Sequence, residues 1–190
     1  ALARRALAVN PHHAEARFVC AGIALRDMEL GRADEELDQG LTKNPRHLRL
    51  LSLKAAVRLL ADDEPGFAAA ERKVLDLNPE YSALYQIVGE YAEWEHRYDE
   101  IVALMRRALL IDARDAKARA DLGINLLRAG DDDAGVRALA AAFDEDPFNV
   151  RVFNTLGLYE KAIPHDYVSV THGPFRLRYH RDQRALLERY

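Results

Sequence analysis

The 190-residue chain contains one cysteine, Cys20, one tryptophan, Trp94, and only five lysines. A single thiol excludes an intrachain disulfide and any zinc site built from several cysteines. No stretch approaches the roughly 18 uncharged apolar residues that a bilayer-spanning helix requires. The opening Ala1-Leu2-Ala3-Arg4-Arg5 has neither an apolar h-region nor a cleavage site, so no secretory signal is visible. Charge of one sign is not in excess: 27 Lys+Arg stand against 31 Asp+Glu, a formal net charge of -4. The broad positive field on which non-specific nucleic-acid binders depend is therefore missing. HExxH does not occur, so the helix that carries two histidine ligands and a general base in many zinc peptidases is absent too. What remains is 49% hydrophobic and 8% aromatic with mixed charge, enough to bury a core and incompatible with intrinsic disorder. Arginine outnumbers lysine 22 to 5 and alanine is abundant, a composition of GC-rich bacterial genes. The expectation is a soluble, mostly helical protein of a bacterial cytoplasm or periplasm, without a cofactor, a metal or a membrane span.

Internal periodicity decides the fold. Asn10-Pro11, Asn44-Pro45, Asn78-Pro79, Asp112-Ala113 and Asp146-Pro147 recur at intervals of 34 residues. Proline disfavours helical geometry in the residue before it and suits the first turn of a helix that follows, so each pair reads as the end of one helix and the start of another. Two helical patterns fill each period. In 116–149, Leu122, Leu126 and Leu127 share one stripe, and Val136, Leu139, Ala140 and Phe143 share a second. Gly130 followed by Asp131-Asp132-Asp133 marks the turn between them, a C-terminal glycine and then an acidic helix start. The unit 82–115 has the same layout, with Gly89 in the place of Gly123 and Tyr98-Asp99-Glu100 opening its second helix.

This pattern resembles the tetratricopeptide repeat (TPR), a 34-residue helix-turn-helix unit, over about residues 1–162. The family's small residue near position eight is matched by Ala21, Ala56, Gly89, Gly123 and Gly157. The one at position 27 is matched by Gly40, Ala108 and Ala142, with Val74 as a departure, and the proline at position 32 by Pro45, Pro79 and Pro147, with Ala113 as a departure. The resemblance implies an all-α superhelix of antiparallel helix pairs. It would comprise a half repeat at 1–13, repeats 14–47, 48–81, 82–115 and 116–149, and a final helix over 148–162 stopped by Pro164. In the first two repeats Gly31 and Gly66 stand several residues late as turn glycines, which predicts longer first and shorter second helices there. Residues 1–10 fit only the second helix of a preceding repeat, which suggests a piece of a longer protein.

After Pro164 the period changes to two. Tyr167, Val168 and Val170, then Phe175-Arg-Leu-Arg-Tyr-His180, alternate apolar and polar residues around Gly173-Pro174, a two-stranded hairpin signal. Residues 181–190 read as a short amphipathic helix with Leu186 and Leu187 inside. A lone hairpin is marginally stable, so 165–190 either packs on the array or opens a further domain. The segment looks like the opening of peptidase-MA-like (gluzincin-type) zinc peptidase domains. The resemblance implies that a catalytic helix would lie beyond residue 190, and no catalytic residue is carried over.

Other candidate chemistry has plainer readings. Cys20 holds the place of a core leucine, so it reads as a small buried hydrophobe rather than a nucleophile. His165, His172 and His180 match no short zinc spacing, and His12-His13 opens a helix. Asp131-Asp132-Asp133 and Asp144-Glu145-Asp146 resemble a divalent-ion loop in composition, but the first lacks the spaced ligands of a calcium loop and reads as helix-start chemistry. Arg176, Arg178, Arg181 and Arg184 form a local basic patch.

The TPR resemblance directs positions 2, 5, 9, 12 and 13 of each first helix into a concave groove. The third unit then offers Gln86, Glu90, Glu93 and Trp94. The fourth offers Lys117, Ala120, Ile124, Leu127 and Arg128, and the fifth Arg151, Asn154, Leu158 and Lys161. Trp and Arg are the residue types that most often anchor interfaces, though Trp94 packed between repeats is an equal alternative. Phe18 and Gly22 replace the lysine and asparagine of the family's carboxylate clamp. The function that follows is non-catalytic: a scaffold binding a peptide or protein segment in the groove, with the Arg151/Asn154/Lys161 cluster beside Glu90/Glu93 setting specificity. The alternative is an adaptor for a zinc-peptidase-like domain. Nucleic acid and membrane are not expected partners, and self-association as a homo-oligomer stays open.

Overall fold

In a computed structural model, residues 2–187 are described. Eight-residue α1 (Leu2–Val9) is followed by four antiparallel helix pairs: α2 (Ala14–Arg26) with α3 (Leu30–Leu41), α4 (Leu48–Leu60) with α5 (Glu64–Leu77), α6 (Ala83–Ala92) with α7 (Tyr98–Ile111), and α8 (Ala116–Arg128) with α9 (Asp132–Glu145). A 3-10 turn, Glu93–Glu95, extends α6. α10 (Val150–Gly157) runs through a π-turn, Leu158–Ala162, into α11 (Ile163–Asp166). Strands β1 (Tyr167–His172) and β2 (Phe175–His180) pair antiparallel, and a 3-10 turn leads into α12 (Arg184–Leu187). Among the described residues no helix is long and apolar enough to cross a membrane.

Each Asn or Asp of the 34-residue frame does the same local job. The side-chain oxygens of Asn10, Asn44, Asn78, Asp112 and Asp146 accept the backbone N–H two residues on, at 3.0–3.3 Å. These are Asx turns, and they explain why Asp112-Ala113 serves without proline: the turn is closed by the side chain. Four of the five helices that follow are capped by side chains that accept an N–H three residues on, from His13, His47, Asp115 and Asn149; α6 has no such cap at Ser82.

The turn inside each pair is also invariant, and here the glycine-based expectation fails. Met28, Asp62, His96 and Gly130, spaced by 34, all sit in the left-handed region, at φ 56°, 54°, 58° and 93°. Behind each runs a backbone bond spanning five residues, as from Glu29 N–H to Ala24 O and from Asp131 N–H to Leu126 O, the Schellman closure. Only one of the four seats holds glycine. Gly31 and Gly66 lie inside α3 and α5 instead, so the first two pairs keep the same first-helix length as the fourth, 13 residues. The closure tolerates a side chain at φ > 0 at a cost of about 1–2 kcal/mol, and no late turn is needed.

A continuous core of Leu25, Leu37, Leu50, Leu53, Val74, Leu84, Val88 and Met105 joins the first three pairs; Leu139, Val152 and Leu156 centre a second cluster around α8–α10. Cys20 is buried. The frame's eighth position in the second pair is Ala55 rather than Ala56, and both are fully buried. At Gly123 an added Cβ would stand 2.6 Å from the Leu139 side chain and 3.0 Å from Gly135 O, so α8 and α9 meet where neither can carry a side chain.

Pro164 does not stop the last helix. Its ring would collide with a helical carbonyl four residues back. The chain widens by one residue beforehand: Ile163 N–H donates to Leu158 O in the π-turn, and helix continues to Asp166. The hairpin then folds against the start of α9. Arg178 pairs with Asp132 and lies 5.6 Å over the Tyr159 ring, Arg176 donates to Gly130 O at 2.8 Å, and Arg181 donates to Pro164 O. Tyr179 is buried, while Val170, Phe175 and Leu177 are exposed. Leu186 is exposed as well, so the expected inward face of the closing helix does not form there; 188–190 lie outside the described residues.

Candidate functional site

The first helices α2, α4 and α6 pack in succession and α8 packs on α7, and three adjoining clefts open along α2, α6, α8 and α10. The largest, about 400 Å³, is bordered by Glu90, Glu93, Trp94, His96, Tyr98 and Arg128. A second, toward α2, is lined by Phe18, Val19, Gly22, Ile23, Arg26, Glu90, Tyr91 and Trp94. A third, toward α10, is lined by residues that include Gln86, Glu90, Glu93, Lys117, Asn125 and Arg151. Trp94 borders the first two and Glu90 all three.

Trp94 is 59% exposed. The α6 helix tightens into its 3-10 turn at Glu93, and the left-handed His96 then reverses the chain, so the indole is presented at the rim rather than drawn between repeats. Trp94 is thus mostly uncovered, and Tyr91, one turn back, is the buried aromatic of this helix. Its hydroxyl stands well inside contact distance of where a Gly22 Cβ would lie, so a side chain at Gly22 would force the Tyr91 hydroxyl to move. Burial raises the Tyr91 phenol pKa, and Glu90 adds to it while Arg26 and Arg49 oppose it.

The charges are mostly matched. Arg128 pairs with Glu93 at 2.6 Å and lies 5.3 Å over the Tyr98 ring. Arg151 reaches the same carboxylate at 3.8 Å. Lys117 pairs with Asp121 at 2.8 Å, and the Gln86 amide donates to Asp115, the α8 cap. Glu90 has no ion-pair or hydrogen-bond partner of its own among the described residues.

Of the residues expected in the groove, Glu90, Glu93, Trp94 and Arg128 come together around one cleft, and Gln86, Lys117 and Arg151 join them through the third. Ile124, with Ala120 and Leu127, is buried in the core, because α8 turns these residues toward α9 and α10. Asn154, Leu158 and Lys161 are exposed but border none of the three clefts; Leu158 and Lys161 lie in the π-turn that follows α10. The expected Arg151/Asn154/Lys161 cluster thus reduces to Arg151 on Glu93. Val19, Ile23 and Arg26 also line this face; Arg26 holds in α2 the frame position that Trp94 and Arg128 hold in the later repeats, whereas Val19 and Ile23 each lie one residue beyond the frame positions of Phe18 and Gly22.

Elsewhere, Glu71 is buried where α5, α6 and α7 meet. It accepts from the Tyr85 hydroxyl at 2.6 Å and pairs with Arg107 at 2.5 Å. Burial and the Glu71 bond push Tyr85 up to about 12. His172 and His180 sit at opposite ends of the hairpin, and the Arg176 and Arg178 guanidiniums of the basic patch face Asp132.

No family model matches the sequence, and no curated protein matches it either. Among solved structures, the chain is similar to TTC0263, a thermophilic TPR protein in Thermus thermophilus. The TM-score is 0.60 at 19% identity, over 84% of this chain and 87% of that one. It is also similar to MamA from residue 41 to the end, from Desulfovibrio magneticus RS-1, at TM-score 0.50 and 18% identity over 77% and 83% of the two chains. Neither likeness supports the peptidase-type reading of the tail. Taken with the 34-residue recurrence of Asx turns and Schellman closures, they establish the fold: an all-α TPR superhelix followed by a small antiparallel hairpin.

Proposed function

We propose that this chain is a non-catalytic scaffold that holds an extended segment of a partner protein across the clefts of α2, α6 and α8. The observation that carries this reading is Trp94, a large aromatic left 59% exposed where two clefts meet. Burying an exposed aromatic is among the strongest sources of affinity at an interface centre, and on this chain the ring contributes little to folding. The adaptor reading, in which the tail opens a zinc-peptidase-like domain, is less well supported. The hairpin's arginine-bearing face is already tied to Asp132 and Gly130 rather than free to seed another layer. Nucleic acid is disfavoured by the net charge of -4 and by the same arginine pairs.

The test is a partner isolated on the wild-type chain and then titrated against Trp94→Ala. Truncating such an anchor should weaken binding by about 2 kcal/mol, roughly thirtyfold, with an unchanged melting temperature. Unchanged affinity would remove Trp94 from the site.

A further inference from the structure

The groove reading leaves open what chemistry the partner brings to Trp94, and the charge pattern around the ring answers it. Three carboxylates line the clefts, Glu90, Glu93 and Asp121, and Asp115 stands behind Gln86. Glu93 is held by Arg128 at 2.6 Å with Arg151 at 3.8 Å, Asp121 by Lys117, and Asp115 by the Gln86 amide and the α8 cap. Of the three lining carboxylates Glu90 alone has no partner among the described residues, and it is exposed one helical turn before Trp94 on the same face. It borders every one of the three clefts. Its charge is felt in the site, since it helps raise the neighbouring Tyr91 phenol. Arg26, likewise without a partner among the described residues, borders only the α2 cleft, on which Val19 and Ile23 present exposed apolar surface.

An exposed indole beside an unmatched carboxylate is the arrangement that attracts a cation. The ring face carries negative quadrupole charge, and the carboxylate supplies the full counter-charge. We infer that a lysine or arginine of the partner lies on the Trp94 ring with its charge against Glu90, and that apolar residues flanking it cover Val19 and Ile23. This rests on the groove reading and adds the ligand class: an extended segment with a basic residue between apolar ones. An acidic residue at the same place would meet Glu90 with its own charge and find Arg128 and Arg151 paired with Glu93, leaving it only Arg26 on the α2 side.

Trp94 is the only tryptophan, so its emission reports the site directly. The probes are three capped peptides, acetyl-Ala-Leu-Xaa-Leu-Ala-amide, with arginine, its neutral isostere citrulline, or glutamate at the centre. The arginine peptide should shift Trp94 emission saturably and bind tightest at low salt, with its advantage over citrulline lost at high salt. Glu90→Gln should weaken the arginine peptide about three- to fivefold, the upper part of the range of an exposed charge pair, and leave the citrulline peptide unchanged. If all three peptides bind alike, if glutamate binds best, or if Glu90→Gln changes nothing, the cation assignment is overturned while the groove stands. If none of the three perturbs Trp94 at any concentration, the groove reading fails with it. Circular dichroism of Glu90→Gln checks that the helices are intact.

Discussion

Two glycine-to-alanine substitutions and one methionine pair decide whether the turn geometry is right, because the expected signs are opposite. Gly31 is the second residue of α3, and a Cβ there would meet nothing within 4 Å. Alanine loses less backbone freedom than glycine on entering a helix, so Gly31→Ala should stabilise by about 0.5 kcal/mol. Gly130 sits at φ 93°, where an L side chain is strained, and Gly130→Ala should destabilise by about 1–2 kcal/mol. Were Gly31 the turn residue, its sign would follow Gly130. Met28 isolates the backbone effect, since its side chain is 42% exposed and its φ is 56°. Comparing Met28→Gly with Met28→Ala cancels the lost side chain. Glycine should be the more stable by about 1 kcal/mol, the reverse of the order inside a helix. Asp62 is a poorer choice because its carboxylate also accepts from Arg97 at 2.7 Å. Chemical denaturation reads all four variants; thermal melts should move by roughly 2–4 °C per kcal/mol for a chain of this size. A destabilised Gly31→Ala, or Met28→Ala at least as stable as Met28→Gly, would refute the left-handed turn frame.

Removing the Tyr85 hydroxyl leaves buried Glu71 with Arg107 alone, so Tyr85→Phe should lower stability by about 1–3 kcal/mol in denaturant titrations at neutral pH. The folded Tyr85 pKa is raised to about 12 from an ordinary value near 10; its contribution is therefore full below about pH 10 and lost as pH rises toward 12. Wild type should lose stability across that window more steeply than Tyr85→Phe, and parallel pH curves would contradict the buried Glu71 bond. Asp132→Ala removes the shared acceptor of Arg176 and Arg178, so limited proteolysis should cut the hairpin faster while α2–α7 stay protected. Gly123→Ala places a methyl 2.6 Å from Leu139 and should cost about 1–3 kcal/mol through overpacking.

How much could be read from residues alone differs from element to element. The repeat was readable because its signals are chemical: the Asx turns at Asn10, Asn44, Asn78, Asp112 and Asp146 require those side chains, and the small residues at Gly89 and Gly123 mark close helix approach. The hairpin was readable for the same reason, since Gly173 at φ 56° and strict alternation admit few other conformations. The left-handed seats were hidden because Met28, Asp62 and His96 do not announce positive φ; a preference drawn from glycine pointed to Gly31 and Gly66 instead. The continuation past Pro164 was hidden because a π-turn resolves the clash that the proline signals. In the groove, frame positions found Trp94, Glu90 and Arg128 but also Ile124, whose burial depends on how α8 rolls against α9 and α10. Which carboxylate would remain unmatched is a matter of side-chain distances, and periodicity carries none of that information.

Hydrogen exchange of the chain with and without a purified partner tests the concave-face claim most directly. Backbone amides of α6, its 3-10 turn and the start of α7, together with those of α2 around Val19–Ile23, should gain protection on binding, and those of α3, α5 and α9 should not. Protection confined to the outer helices or to the hairpin, with the amides around Trp94 unchanged, would contradict the account.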